Sequence, residues 1–291
     1  LDGGANSSAS GTYTPGSFVR PVKTKMYSLS DSLLHFSSVN DPTDWNTGST
    51  GAGFINLQNN ARGSEDLKAI ANYFSNVAVL AEQAIQIWFV DADETKNQQI
   101  QVLNNTGTIA PDSVIEFGDN DVFYLSKSGI RSLRARDSSN AAFVGDIGNP
   151  IDDLVVAEIT ANIISARNST AIHEPKDGRY LLAIGSKVYV FSYFPSSKVS
   201  AWSIYEPGFN IDKWAFDGTQ ILCRSGNQLF SLGGSNGTTY DNSTVTVQMP
   251  FLDAGRPASF KDFTSLDMTC ENTWDVSIAT DPQDITILQD V

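Results

Sequence analysis

Charge is scarce in this sequence, and positive charge is scarcer still. Only 18% of the 291 residues are charged, with 19 Lys and Arg against 33 Asp and Glu, a formal net charge of −14. A protein that grips duplex DNA by neutralising phosphates needs the opposite balance. The composition therefore argues against tight duplex binding. Cysteine and histidine are nearly absent. Cys223, Cys270, His35 and His173 stand far apart, with no CxxC, HExxH or other metal-ligand spacing. No metal and no cofactor are expected. The two cysteines could pair but read first as buried small hydrophobes, His35 as a hydrogen-bonded structural residue in a strand, and His173 as part of a loop. No apolar run approaches the ~18 residues of a membrane-spanning helix, and no basic–apolar–small leader heads the chain. The stretch GSTGAG (48–53) lacks the GK[ST] of a phosphate loop and reads as a flexible loop after Trp45. Asp91-Ala92-Asp93 with Asn97 begins like a calcium loop, but Lys96 and Val102 occupy the positions that need Gly and Glu, so a solvated turn is expected.

Gly, Ser, Thr, Asn and Asp are abundant instead, the composition of many short strands joined by turns. A chain of this length buries about three quarters of its unfolded surface. Five stretches share one layout of apolar strand, small polar turn and apolar strand: 25–38, 76–91, 121–135, 179–193 and 219–234. Their strands start at Met26, Val77, Val122, Tyr180 and Ile221, intervals of 51, 45, 58 and 41 residues. A recurrence near ~45 residues is the spacing of propeller blades. A lone twisted sheet cannot cover both its faces, whereas sheets packed radially cover one another and expose only short edges. The long interval contains a change of period. Ile151, Leu154, Val155, Ile159 and Ile163 fall on one helical face, with Asn149 as N-cap, Pro150 in the first turn, and Asp152 and Asp153 at the positive end of the dipole. One helix of about 17 residues is expected, either packed on the chain's own rim or making a subunit contact. Residues 64–74 show helix spacing through Leu67, Ile70, Ala71 and Phe74, but their place in the repeat asks for a strand, and strand is the assignment.

The fold class that follows is all-β: a propeller of about five to six blades over 22–240, with one inserted amphipathic helix at about 150–167. Residues 1–21, rich in Gly, Ser, Ala and Asn, are expected to be a flexible arm or one lying on a neighbouring subunit. In 241–291, the alternating stretches 242–252, 263–268 and 274–278 read as strands that either close the propeller or begin a second β domain.

Two groups of side chains stand out as candidates. Arg131, Arg134, Arg136 and Asp137 form a charged rim after the third hairpin, unusual in so acidic a chain. Arg134 and Arg136, two apart, would share a strand face. They either pair with acids such as Asp137 or Asp146, or contact an acidic neighbour or DNA phosphate. Trp202, Tyr205 and Phe209 belong to the densest aromatic run and either fill the wedge between sheets or floor a sugar site. Catalytic propellers draw their acids and nucleophiles from separate blades, so spacing alone leaves that class open. The sialidase S-x-D-x-G-x-x-W box and the WD40 signature are both absent from the sequence. No enzymatic activity is expected.

GDNDVFYLSKSGIRSLRARDSSNAAFVGDIGNPIDDLV (118–155) closely resembles the tail nozzle (tail tubular, or packaged-DNA stabilisation) proteins of short-tailed bacteriophages. Residues 39–57, 85–93, 102–114 and 190–212 agree, so the resemblance spreads over roughly 20–260. It implies a structural virion protein of the phage tail, assembled in the bacterial cytoplasm. It further implies a ring, a hexamer by family resemblance, below portal and adaptor proteins, meeting tail fibres or spikes and passing genomic DNA without tight binding. Family members are often longer. A chain beginning at Leu1 and stopping at Val291 is accordingly expected to be processed or part of a longer protein. The alternative is a carbohydrate-binding propeller that uses Trp202, Tyr205 and Phe209. A propeller hydrolase stands third.

Overall fold

All five strand–turn–strand stretches fold as antiparallel hairpins, and each nucleates its own small sheet. The computed structural model describes residues 16, 18–48, 51–58, 66–118, 121–137, 146–194, 196, 199–234, 244–249, 251–252, 255–256, 259–260, 265–271, 273–281, 284, 286 and 288–290. They fall in two units, Leu1–Tyr240 and Asp241–Val291. In the first unit the sheets follow in chain order. The first holds β1 (Phe18–Val22), β2 (Lys25–Ser30), β3 (Leu33–Phe36) and β4 (Gly53–Asn56). The second holds β5 (Leu67–Tyr73), β6 (Asn76–Ala81), β7 (Ala84–Phe89) and β8 (Gln98–Asn104). The third holds β9 (Ile115–Phe117), β10 (Asp121–Ser126) and β11 (Gly129–Ser132). After helices α1 (Leu133–Asp137), α2 (Asp152–Ala161) and α3 (Ile163–Arg167) comes a fourth sheet of β12 (Thr170–Glu174), β13 (Arg179–Ile184), β14 (Lys187–Phe194) and β15 (Val199–Tyr205). The fifth contains β16 (Lys213–Phe216), β17 (Ile221–Ser225) and β18 (Gln228–Ser231). The turns have the chemistry that tight hairpins demand. Ile184 pairs with Lys187, leaving Gly185-Ser186 as a two-residue loop, and Gly185 takes φ +62, which costs a residue without Cβ little.

The hairpins of the second, third and fourth sheets read as continuous apolar runs because these sheets are covered on both faces. Successive side chains of a strand point to opposite sides. Accordingly, Val77 and Val79 of β6 enter the core layer shared with the first sheet, while Ala78 and Leu80 enter the layer shared with the third. On β10, Val122 and Tyr124 face the second sheet, and Phe123 and Leu125 face the fourth. On β13, Tyr180 and Leu182 face back toward the third sheet, while Leu181 and Ala183 meet Ile221 and Cys223 of the fifth. A core layer thus lies between every consecutive pair of sheets. Residues 67–73 form a strand as assigned, and their helix-like spacing has a cause. A bulge between Leu67 and Ala69 restores Leu67 and Ile70 to one face although they are three apart.

Several expectations are corrected. Phe18–Pro21, placed in the arm, continues into Val22 as β1 and pairs along its length with β2, because Phe18 and Val22 pack into the apolar layers of the first sheets; residues 1–15 and 17 lie outside the described residues. His173 sits in β12, paired with Tyr180, rather than in a loop. The single 17-residue helix is three pieces: a 3-10 turn at Asn149–Ile151, then α2 and α3. Asn149 lies inside that turn rather than capping it. The break falls at Asn162 (φ −149, ψ 84), whose side-chain oxygen accepts from the Ser165 N–H and so caps α3. Ile151, Val155 and Ile159, spaced by four, are buried, but Leu154 and Ile163 are 55% and 41% exposed. Leu154 flanks the narrow buried stripe, and the break rotates Ile163 out of register with it.

In the second unit, β19 (Ser277–Ala279) pairs with β20 (Leu288–Asp290). The described residues of 242–252 and 263–268 are not strands, and Val245, Val247 and Met249 alternate without any sheet to alternate against. Cys270 is exposed rather than buried, and both cysteines are free thiols. No helix among the described residues is long and apolar enough to cross a membrane.

Candidate functional site

The arginine cluster is not a strand face. After Ser132 the chain turns into α1, where the Ser132 hydroxyl accepts from the Ala135 N–H and Asp121 accepts from the Arg134 N–H. Arg134 and Arg136 therefore sit on a helical turn. The three arginines also differ in what they meet. Arg131 is buried and makes a bidentate pair with Asp152, Nη1 to Oδ1 at 2.7 Å and Nη2 to Oδ2 at 3.0 Å. It also donates to the Ile130 carbonyl at 2.9 Å, to the Ser128 hydroxyl at 3.2 Å and to the Ser128 carbonyl. Asp146 is the hub behind it. Its carboxylate accepts from the Ser132 N–H at 2.8 Å and from Arg136 Nε at 2.8 Å, and it lies 3.6 Å from Arg131 Nε. Gly129 makes the arrangement feasible. Its φ is +118, and a Cβ there would stand 2.2 Å from Asp152 Oδ1. The network fastens the third hairpin to the start of α2, satisfying every buried charge with an opposite one. Arg134 is exposed, and among the described residues its side chain makes no ion pair. The side chain of Asp137 lies outside the described residues.

Sequence reading named Asp146 only as a pairing acid and took Asp152 for a dipole-complementing helix residue. Their shared role became visible only when α2 was placed against β11. Asp121 was missed altogether. It accepts from the Ser132 hydroxyl at 2.7 Å and from the Val122 and Arg134 N–H groups, while burial pushes its carboxyl above the usual carboxylate range. Next to this network the Tyr124 hydroxyl lies 2.6 Å from the Thr106 hydroxyl, and burial raises its pKa to about 12. These groups are held in fixed positions by their hydrogen bonds.

The aromatic candidates do not assemble into one platform. Trp202 and Tyr205 are three apart on β15 and so project from opposite faces. Trp202 is half-buried, 5.1 Å from Phe191 between ring centroids, with its Nε1 donating to the Ile147 carbonyl at 2.8 Å. Phe209 stacks on Phe230 at 4.2 Å in the layer between the fourth and fifth sheets. Tyr205 is exposed. Filling between sheets accounts for Trp202 and Phe209. The Asp91–Asn97 stretch is a turn closed on itself: Asn97 accepts from the Asp91 N–H, Asp91 from the Asp93 N–H, and Asp93 from the Thr95 N–H. Among the described residues no group of three or more His, Cys, Asp or Glu is arranged to hold a metal ion.

No family model matches the sequence, and no curated protein matches it. Among solved structures, the extracellular domain of a proposed one component system from B. thetaiotaomicron is 16% identical, with a TM-score of 0.42. That match covers 81% of this chain, which spans 28% of the other. A computationally designed protein is 11% identical over 72% of this chain and 67% of its own, with a TM-score of 0.38. Similarity at this level carries no argument about function.

Proposed function

We propose that this chain is a structural virion protein, a subunit of the ring that forms the tail nozzle of a short-tailed bacteriophage. In this reading its successive sheets are propeller blades and its rim carries the contacts between copies. One observation carries the reading: the helical insertion turns an apolar face to solvent. Leu154 and Ile164 are 55% and 71% exposed, with Ala157, Ala161 and Ile163 exposed beside them. The opposite side of the same insertion is locked into the core by Val155, Ile159 and the Arg131–Asp152 pair. Copies carrying a net charge of −14 repel each other, and an exposed apolar patch on an anchored element supplies the attraction a closed ring needs. The acidic surface suits the duty of the ring's bore. Phosphates meet a repulsive wall through water, so the genome rests there and later slides out without releasing bound counterions. The portal or adaptor would sit above and fibres or spikes outside, in a particle assembled in the bacterial cytoplasm.

Class-averaged electron microscopy with light scattering tests this. Closed rings of several copies are expected, alone or on portal-bearing particles, and Leu154→Asp with Ile164→Asp should leave folded single copies. A wild-type chain that stays single under both conditions overturns the proposal.

A further inference from the structure

We propose that β15 is a docking edge whose occupant is the β15 of a second copy of this chain, paired antiparallel across a two-fold axis. The outermost strand of a sheet carries a row of unpaired N–H and C=O groups, and proteins blunt such edges by shortness, bulges, charge or a cover. In the first unit one end strand of each sheet is already covered: β1, β5, β9, β12 and β16 pack against one another in chain order. At the opposite ends, four strands are blunted. β4 and β18 are four residues long. β8 is seven residues long, but its ladder with β7 shifts register at Ile87/Trp88. β11 is four residues long, and α2 packs against it. β15 has none of these devices. Its seven residues, VSAWSIY, pair with β14 without a shift, from Val188↔Tyr205 to Phe194↔Val199, and none is charged or a proline. Among the described residues no strand pairs with its other side.

The side chains say what kind of strand fits. Six of the seven residues are exposed, and only Trp202, held by the Ile147 carbonyl, is half-buried. Val199, Ile204 and Tyr205 are 51%, 40% and 37% exposed, and Tyr193 and Phe194 extend the apolar surface onto β14. A second copy suits this edge. Antiparallel pairing centred on Trp202 is the symmetric register that engages all seven residues of both strands. It sets Val199 opposite Tyr205 of the second copy, Ser200 opposite Ile204 and Ala201 opposite Ser203, each pair occurring twice. A β-branched residue opposite an aromatic one is a favourable cross-strand pair. Charge points to the same occupant. Copies with a net charge of −14 repel, and an edge without a charged side chain is where they can approach. The contact is isologous, unlike the head-to-tail contact of a ring, so this inference does not rest on the nozzle reading. Two short edges bury less than a standard interface, so the pair is weak and forms at ~10–100 µM.

Sedimentation velocity tests this on the full chain carrying Leu154→Asp and Ile164→Asp, which removes the ring contact. Species of two copies are expected to grow with concentration up to ~200 µM and to separate into single copies at the dilution of an electron-microscope grid. Ala201→Lys with Ser203→Lys, both at exposed side chains, sets lysine opposite lysine and should weaken association about tenfold or more. Ala201→Lys with Ser203→Glu sets unlike charges opposite each other and should stay within about threefold of the parent. Thermal unfolding checks that both variants fold. Amide hydrogen exchange over Val199–Tyr205 should slow as copies pair. The proposal is overturned if no two-copy species forms, if the two double variants associate equally, or if pairing protects another segment and leaves Val199–Tyr205 unprotected.

Discussion

At the scale of single residues, the chain's rare charges fall into two kinds, and burial separates them. Arg131 and Asp146 are almost wholly inaccessible, whereas Lys96 and Asp93 pair at 3.6 Å in open solvent. Removing one partner from a buried network strands the others, so Arg131→Met should cost about 3–5 kcal/mol in urea denaturation. Lys96→Ala should cost less than about 1 kcal/mol, since solvent already screens that pair. Equal losses would show that the Arg131 network has no special weight. The histidines set a pH dependence. Burial lowers the pKa of both His35 and His173. The unfolded chain therefore binds protons first as pH falls through ~6.5, the ordinary imidazole value. Stability should drop from that point downward and level once the folded-state values are passed. Melting temperature measured from pH 7.5 to 5 should show this slope, and His35→Gln with His173→Gln should flatten it. An unchanged slope would place its origin elsewhere.

At the scale of elements, the helical insertion separates what pattern reveals from what packing decides. The switch from period two to 3.6 correctly announced helix after Ile147. The buried face was only partly right, because Asn162 breaks the helix and because the core reaches only a stripe of Ile151, Val155 and Ile159. Ile159→Asp should lower stability by ~4 kcal/mol or more, through an unpaired buried carboxylate. Leu154→Asp, which the sequence pattern places in the same face, should change it by less than about 0.5 kcal/mol. Glu158→Lys should fall between the two. Glu158 pairs with Lys187 of β14 at 2.8 Å, so reversing it sets two ammonium groups together and should cost about 1 kcal/mol. Thermal shifts of the three variants should rank in the order Ile159→Asp, Glu158→Lys, Leu154→Asp.

At the scale of the whole molecule, net charge and one exposed arginine make the nozzle proposal quantitative. Duplex DNA should bind negligibly at ~0.15 M salt, since a chain of net charge −14 has few phosphates it can neutralise. Arg134→Glu is the cleaner probe of a subunit or portal-side contact, because Arg136 is engaged with Asp146 within the chain. It should impair ring or tail assembly while leaving the melting temperature unchanged; salt-sensitive DNA binding abolished by Arg134→Glu would instead put that residue in the channel. The hairpins were legible in the sequence because each is local: two apolar runs and a turn of the right residues suffice, and in the second, third and fourth sheets burial on both faces makes the runs continuous. The strand at 67–73 was legible only through its place in the repeat, because a bulge imitates helical spacing. Among their described residues the alternating stretches 242–252 and 263–268 misled for the opposite reason, since alternation marks a strand only where another strand is there to pair with it, as Ser277–Ala279 is paired at the end of 274–278. The sequence by itself determined the β-rich class, the five hairpins and the site of the helical insertion, all set by short-range periodicity. Tertiary structure alone decided that Arg131 is an internal tie and that Trp202 and Phe209 belong to different core layers. Each of those facts depends on residues tens of positions apart being brought within a few ångströms, and no local pattern records such distances.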